Sequence, residues 1–318
     1  MSVDLLIGLS AVIVAIEDGL PLSLEISRED GLPALPYGTF DPISDRTFEL
    51  ALRTWVARQT GFRLGYVEQL YTFGDRGRET PQAVLPDAEA DARTVSVGYL
   101  ALTPAASSVE AGFEARWAGW YAHFPWEDHR QGRPALINDM IAPALTEWAK
   151  GQEAQLDRIR LAFALDDQRW IEERALERYE LLYEAGLVRE AMRDAQQERS
   201  QPSLGEPMAS DHRRILATAI SRLRGKLKYR PVLFEMMPER FTLSALQTAA
   251  EGILGLSLHK QNFRRALDRT GLVEGTGQME TGTGGRPAEY FRFRRELLSR
   301  RAVSGLSMPV HRKDSQNV

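Results

Sequence analysis

The sequence predicts an α+β chain in three pieces, and three observations predict it. Residues 7–16 are β-branched and alternating, which opens a strand-rich N-terminal third. From residue 135 to 199 the apolar spacing turns helical. Beyond His212, short amphipathic helices lead into two β-like runs, and the charge changes sign. Between His212 and Arg301 stand 18 Lys+Arg against 8 acids, although the whole chain carries −4. The acidic surplus therefore lies before His212, and the positive charge forms one local footprint.

Taken in order, residues 7–16 read as a strand, Asp18-Gly19 as a hairpin turn and residues 22–26 as its return. A loop bounded by proline and glycine, residues 31–38, precedes an amphipathic helix over 47–60. Phe48, Leu52, Trp55 and Val56 are its apolar side and Gly61 its stop. Residues 64–73 and 95–102 read as strands around a polar loop, closing the first domain near Pro104. The aromatic stretch 105–133 is expected as an irregular lid. Two long amphipathic helices follow, broken at Asp166-Asp167, with Leu145, Trp148, Ile159 and Phe163 on one stripe and Tyr179, Leu182 and Leu187 on the other. Such faces bury against each other, against the domain, or against a second subunit. The expected division is 1–133, a helical insert at 134–200 with a possible dimerisation role, a linker at 201–207, a last domain at 211–301 and a polar tail at 302–318.

The last domain carries the sharpest pattern. Thr242 is a plausible N-cap for a helix with Leu243, Leu246, Ala250, Ile253 and Leu254 apolar. Gly255 breaks it, and Ser257 is the expected cap of a second helix with Phe263, Ala266 and Leu267 inward. That second helix turns Lys260, Gln261, Asn262, Arg264 and Arg265 outward, side chains able to pair with base edges and to hold phosphates. Two β-like runs, 272–273 and 290–293, flank a glycine-rich link. Helix, turn, basic helix and wing make a winged helix-turn-helix. Its expected contacts to double-stranded DNA are Lys226, Lys228, Arg230, Thr242, Ser244, His259, Lys260, Gln261, Asn262, Arg264, Arg265 and, in the wing, Arg286. The plainer alternative is an adaptor whose winged helix binds protein and whose basic face is merely solvated.

Composition narrows the rest. Cysteine is absent, which removes disulfides, thiolate metal sites and thiol nucleophiles. The apolar start has no basic flank or cleavage motif, and no run reaches the ~18–20 residues of a membrane span, so a cytoplasmic protein is expected. His123 and His129, beside Glu127 and Asp128, lack the spacing of metal ligands. No phosphate-cradling P-loop and no serine nucleophile motif occurs.

Leu35-Pro36-Tyr37-Gly38 and the helix ending Thr54-Trp55-Val56-Ala57-Arg58-Gln59-Thr60-Gly61-Phe62 resemble the loop–helix–loop of the Nudix fold. Aligned from Gly61-Phe62, Arg58 and Gln59 stand where that family carries paired glutamates, Trp55 replaces an earlier glutamate, and Arg46 the first. Those glutamates ligate Mg²⁺ and activate water, so pyrophosphatase chemistry is not expected. Tyr66 to Arg78, Val95 to Leu102 and Leu223-Arg224-Gly225-Lys226-Leu227-Lys228-Tyr229-Arg230-Pro231-Val232-Leu233-Phe234-Glu235 are similar to Nudix-related transcriptional regulators of NAD metabolism (NrtR/NadQ type), the NadQ-type repressors of de novo NAD synthesis most of all. The resemblance implies a homodimeric repressor on a pseudo-palindromic operator, with no catalytic cofactor. Its Nudix-like domain would bind an adenine nucleotide effector: NAD, ATP or ADP-ribose. Expected effector contacts are Tyr37, Arg46, Arg53, Arg58, Asp75, Arg76, Arg78 and Trp126, guanidiniums meeting phosphates and aromatics meeting adenine. Phe40, Trp117 and Trp120 are further stacking candidates. A Nudix-type pyrophosphohydrolase with a noncanonical site is the rival reading.

Overall fold

The computed structural model describes residues 5–28, 31–78, 92–104, 113–196, 204–228, 230–280 and 287–294. Its centre is β1 (Leu5–Glu17), which turns through Asp18 and Gly19, both at positive φ, into β2 (Leu20–Ile26). Leu9 to Ala15 are all buried, which explains why an alternating pattern there is so apolar: β1 is covered on both faces. The sheet order is β4 (Tyr66–Phe73), β5 (Arg93–Leu102), β1, β2, β6 (Ala115–Gly119), with β3 (Tyr37–Thr39) also paired to β1. Strands β1 and β5 are parallel; the other pairs are antiparallel.

Helix α1 (Phe48–Thr60) covers one face, packing Ala51, Leu52 and Val56 on Leu9, Ala11 and Ile13. Thr47 caps it by accepting from Leu50 N, and Gly61 ends it at φ 69°. On the other face Val12, Val14, Phe73, Leu100 and Leu102 join a core that runs on through six further helices and into the C-terminal unit. These are α2 (Trp120–His123), α3 (Ala142–Ala149), α4 (Glu153–Phe163), α5 (Ala175–Glu184), α6 (Arg189–Asp194) and α7 (His212–Leu227). Gly98 on β5 lets Ile215 of α7 close on the sheet: a Cβ there would lie 3.1 Å from Ile215.

The C-terminal unit is a winged helix. Helix α8 (Leu243–Leu254) and α9 (Lys260–Thr270) stand over a sheet ordered β7 (Arg240–Thr242), β9 (Glu289–Phe293), β8 (Val273–Met279). Thr242 caps α8 as expected, but Ser257 does not cap α9; its hydroxyl donates to Arg130 O at 2.8 Å, and the N-cap is His259, which makes no side-chain capping bond.

Three further expectations change. The stretch 113–127 is not a lid: β6 extends the main sheet, and Trp120 and Trp126 are fully buried. The insert is not two long helices, because Lys150 at φ 47° splits the first stripe and Glu172–Arg174 form a 3-10 turn before α5. Its apolar stripes (Leu145, Ile159, Phe163, Tyr179, Leu182) are buried within the chain itself. Residues 204–208 are no linker either; Leu204 and Met208 are buried, Glu206 N donates to Ala122 O, and Met208 N donates to Glu190.

At the middle of this core Glu127, fully buried, lies between two fully buried arginines. Arg178 donates to it from two nitrogens, at 2.5 and 2.8 Å, and Arg224 also donates to it. Burial alone would raise the Glu127 carboxyl; the two guanidiniums overturn that and hold it below the ordinary carboxylate range. Glu127→Ala leaves two buried cations without a counter-charge, and is expected to cost about 3–5 kcal/mol; denaturant unfolding measures it.

A second buried group titrates the other way. His212 accepts at Nδ1 from Leu35 N at 3.1 Å, and burial, aided by Arg28 and Arg193, pushes its pKa down to about 3 from an ordinary 6.5. The unfolded chain therefore binds a proton that the folded chain refuses. Stability present above pH 6.5 falls as pH drops toward 3, by up to about 1.4 kcal/mol per pH unit. Between pH 6.5 and 5, His212→Gln is expected to show a shallower loss of stability than the parent chain.

Candidate nucleic-acid interface

Helix α9 is held by Phe263, Ala266 and Leu267, all buried. That fixes the rotation of the rest, so Lys260, Gln261, Arg264, Arg265 and Arg269 are exposed, with Asn262 half-buried and Asp268 the single acid of the helix. None of Lys260, Arg264, Arg265 and Arg269 has a hydrogen-bond or ion-pair partner among the described residues. His259, at the N-cap, and Ser244, on α8, are also exposed. Arg230 is exposed ahead of the winged helix, and in the wing Arg240 bonds Gln278 at 2.5 Å while Arg292 pairs with Glu274. Four cations on one helix, unpaired among the described residues, form a surface suited to a polyanion.

Several expected contacts are taken out of that surface. Lys226 is buried, its ammonium donating to Glu68 and Tyr66 of β4. Lys228 pairs with Glu172 at 2.9 Å and with Glu173. Thr242 is buried and its hydroxyl serves the α8 cap. Arg286 lies outside the described residues. The charge surplus counted along the sequence is also smaller on the surface, since Arg213 and Arg224 are fully buried; Arg213 pairs with Glu190 at 3.2 Å.

The expected effector contacts fall into two groups on opposite faces of the main sheet. On the α1 side, Arg46 and Arg58 are exposed, Arg58 lying over the Trp55 ring, while Arg53 pairs with Glu49 and caps the carbonyls of Leu64 and Gly65. Tyr37 is half-buried, its hydroxyl accepting from Arg28 at 2.8 Å. The positions of the missing glutamates have other work: the Gln59 amide bonds both the N–H and the carbonyl of Tyr37, at 3.0 and 2.7 Å, and Trp55 donates to Thr39 O. A Cβ on Gly38 would lie 2.2 Å from the Trp55 ring, so the indole fills the space beside the loop.

On the far face Asp75 pairs with Arg214 of α7, whose hydrogen bond holds the carboxyl below its ordinary range. Arg78 makes a two-pronged bond to Glu180 and stacks 3.7 Å over Tyr183. Arg78, Tyr183 and the exposed Arg76 edge an open cavity of about 520 Å³ lined also by Asp194 and Met192. Tyr183 and Glu180 are the residues sequence reading missed there; they sit a hundred positions away and carry no local signal. Trp126, fully buried among Phe124 and Tyr179, is no surface for adenine, and neither is Trp120. Trp117 and Phe62, edge-to-face at 6.3 Å, and Phe40 against Phe48 remain the accessible aromatics beside α1. His123 is buried against Glu25 and the carbonyl of Glu206, and no group of three metal-ligating side chains occurs among the described residues.

Residues 233–293 match the family described as the NrtR DNA-binding winged helix domain. The C-terminal unit is an NrtR-type winged helix. Over 107 residues the chain is 37% identical to the ADPR responsive transcriptional repressor NtrR of Acinetobacter baylyi, which covers 34% of this chain and only 42% of that protein. The chain therefore spans less than half the length of that relative. In fold the likeness is nearly end to end. The NrtR of Shewanella oneidensis complexed with a 27mer DNA superposes with a TM-score of 0.56 at 20% identity, over 95% of this chain and 99% of that one. A MutT/nudix family protein from Enterococcus faecalis gives 0.52 at 15%, over 92% and 88%. At such identities the likeness establishes the fold: a Nudix-like unit joined to an NrtR-type winged helix.

In that winged helix Gln261→Ala or Arg265→Ala is expected to cost roughly 1–3 kcal/mol of DNA binding and to relax preference at particular base pairs. Lys226→Ala should lower the melting temperature while leaving the salt slope of DNA binding intact, because its ammonium faces Glu68. Anisotropy titrations over a salt series, paired with melting curves, separate the two classes.

Proposed function

We propose that the chain is a DNA-binding transcriptional repressor whose Nudix-like unit senses an adenine nucleotide, with genes of NAD biosynthesis as its targets. The observation that carries the reading is the outward ring of Lys260, Gln261, Arg264 and Arg265 on the second helix of an NrtR-type winged helix. ADP-ribose is the effector favoured over NAD and ATP, because the relative from Acinetobacter baylyi is described as ADPR responsive. Arg46 and Arg58, with Trp117 and Phe62, are the available α1-side groups for its phosphates and base. Arg76 and Arg78 are the alternative on the far face, and binding measured on Arg58→Ala and Arg76→Ala decides between them.

Hydrolysis is not part of this function. A hard cation needs carboxylate oxygens, and the four corresponding positions hold Arg46, Trp55, Arg58 and Gln59. A homodimer reading a pseudo-palindrome is the assembly we propose, since two-fold proteins match two-fold sites; in the cell this places the chain in the cytoplasm. No helix among the described residues is long and apolar enough to cross a membrane.

The test is binding to a duplex selected by the protein from a random library, over a salt series, with and without ADP-ribose. Expected are a log–log salt slope of several units, and a change of about 5–150-fold on adding ADP-ribose. A flat salt response favours the adaptor reading. Incubated with Mg²⁺, the purified chain is expected to leave ADP-ribose intact, and Mg²⁺-dependent turnover that survives repurification favours the hydrolase.

A further inference from the structure

The turn of the helix-turn-helix is not held by the winged helix alone. The Tyr121 hydroxyl donates to Gly252 O at 2.6 Å, and Arg224 Nε donates to Ile253 O at 2.9 Å. Two residues further, His129 N donates to Gly255 O at 2.8 Å, and Ser257 Oγ closes the set on Arg130 O at 2.8 Å. Two carbonyls that α8 leaves open near its end, those of Gly252 and Ile253, thus meet donors from outside the helix pair. The backbones are in contact as well. A Cβ on Gly252 would lie 2.0 Å from Gly19 O, in the β1–β2 turn, and one on Gly255 would lie 2.3 Å from Glu127 O. Gly255 also takes φ 69°, so the position needs glycine twice over.

Four of these partners, Tyr121, Glu127, His129 and Arg130, belong to one short segment, residues 121–130, which leaves β6 directly. Four residues before Tyr121, Trp117 on β6 meets Phe62 at the end of α1. A single strand end therefore touches the face beside α1 with one side chain and the helix-turn-helix turn with another. The winged helix's own core fixes the rotation of α9; the β6–α2 segment fixes where the turn that launches α9 sits.

We propose that Tyr121 and Ser257 are positioning residues for DNA reading: they clamp the turn between α8 and α9 to the Nudix-like unit, and β6 carries a nucleotide-induced shift to it. The proposal rests on the sensor–repressor reading for its ligand, while the clamp itself is independent of any ligand. Tyr121→Phe and Ser257→Ala each remove one hydroxyl and no packed carbon, so the core is left in place. Together they delete the bonds to Gly252 O and Arg130 O and the longer one that Tyr121 accepts from Arg224 at 3.4 Å, which corresponds to roughly a tenfold change in the equilibrium between held and released turn.

Hydrogen–deuterium exchange on the full chain, without ligand or DNA, reads the clamp. In the double variant, amides from residue 255 to 267 are expected to exchange about tenfold faster while those of β1 and β5 keep the parent rate. Exchange equal to the parent at 255–267, or raised equally in β1 and β5, overturns the clamp. The second arm measures the ratio of DNA affinities with and without ADP-ribose. Tyr121→Phe is expected to bring that ratio at least threefold closer to one, with ADP-ribose affinity of the free protein unchanged; an unaltered ratio overturns the role of β6. Should the parent chain itself bind neither ADP-ribose nor DNA, the sensor–repressor reading and the role of β6 built on it both fall, and the exchange arm still decides the clamp.

Discussion

Everything in this chain is arranged around one buried carboxylate. Glu127 leaves the Nudix-like unit on a 3-10 turn and meets Arg178 from the helical insert and Arg224 from the helix that leads to the winged helix. Three buried charges cannot be accommodated separately, because each would forfeit its hydration without return. The arginines have further bonds that fix their direction: Arg178 to the carbonyls of Ala162 and Ile171 while stacked 3.8 Å over Trp170, Arg224 to those of Glu172 and Ile253. A triad of this kind is a poor source of net stability and a strict specifier of geometry. It joins the three pieces in one arrangement, and any slip of one against another strands a charge.

What was legible in the sequence was local. The β1–β2 hairpin, α1 with its Thr47 cap and Gly61 stop, and the two helices of the winged helix all announce themselves within fifteen residues, through periodicity and caps. What was not legible depends on partners far along the chain. Lys226, Arg213 and Arg224 look like surface cations from their neighbours in sequence, yet each is buried against a glutamate or carbonyl at least 9 and as many as 158 positions away. Strand β7 is three residues long and has no periodicity to detect. Strand β6 hid in an aromatic stretch because it is an edge strand whose pairing to β2, not its composition, makes it a strand. Ser257 was a reasonable cap by type; a carbonyl from residue 130 claimed its hydroxyl first.

The charge argument survives in a sharper form. A count along the sequence gave the C-terminal segment a large positive surplus, and burial then removed several of its members into internal ion pairs. What remains is concentrated. The buried and half-buried arginines of α5 and α7 face carboxylates, whereas Lys260, Arg264, Arg265 and Arg269 face none among the described residues. Leaving cations unneutralised side by side costs self-repulsion, which an external polyanion relieves. The contrast between paired and unpaired arginines within one chain is thus more informative than the total.

The same logic of reassigned side chains explains how the Nudix-like helix α1 is held to its loop without carboxylates. A metal-binding helix tied to its loop through a shared cation would come adrift once the carboxylates were replaced. Here Gln59 bonds the Tyr37 backbone in both directions, as a neighbouring strand would, and Trp55 reaches Thr39 O while its ring lies against Gly38. Helix and loop are therefore fastened directly, by an amide and an indole in place of an ion. Arg46 and Arg58 stand exposed beside this joint, and the positions aligned with the metal-binding glutamates carry no carboxylate.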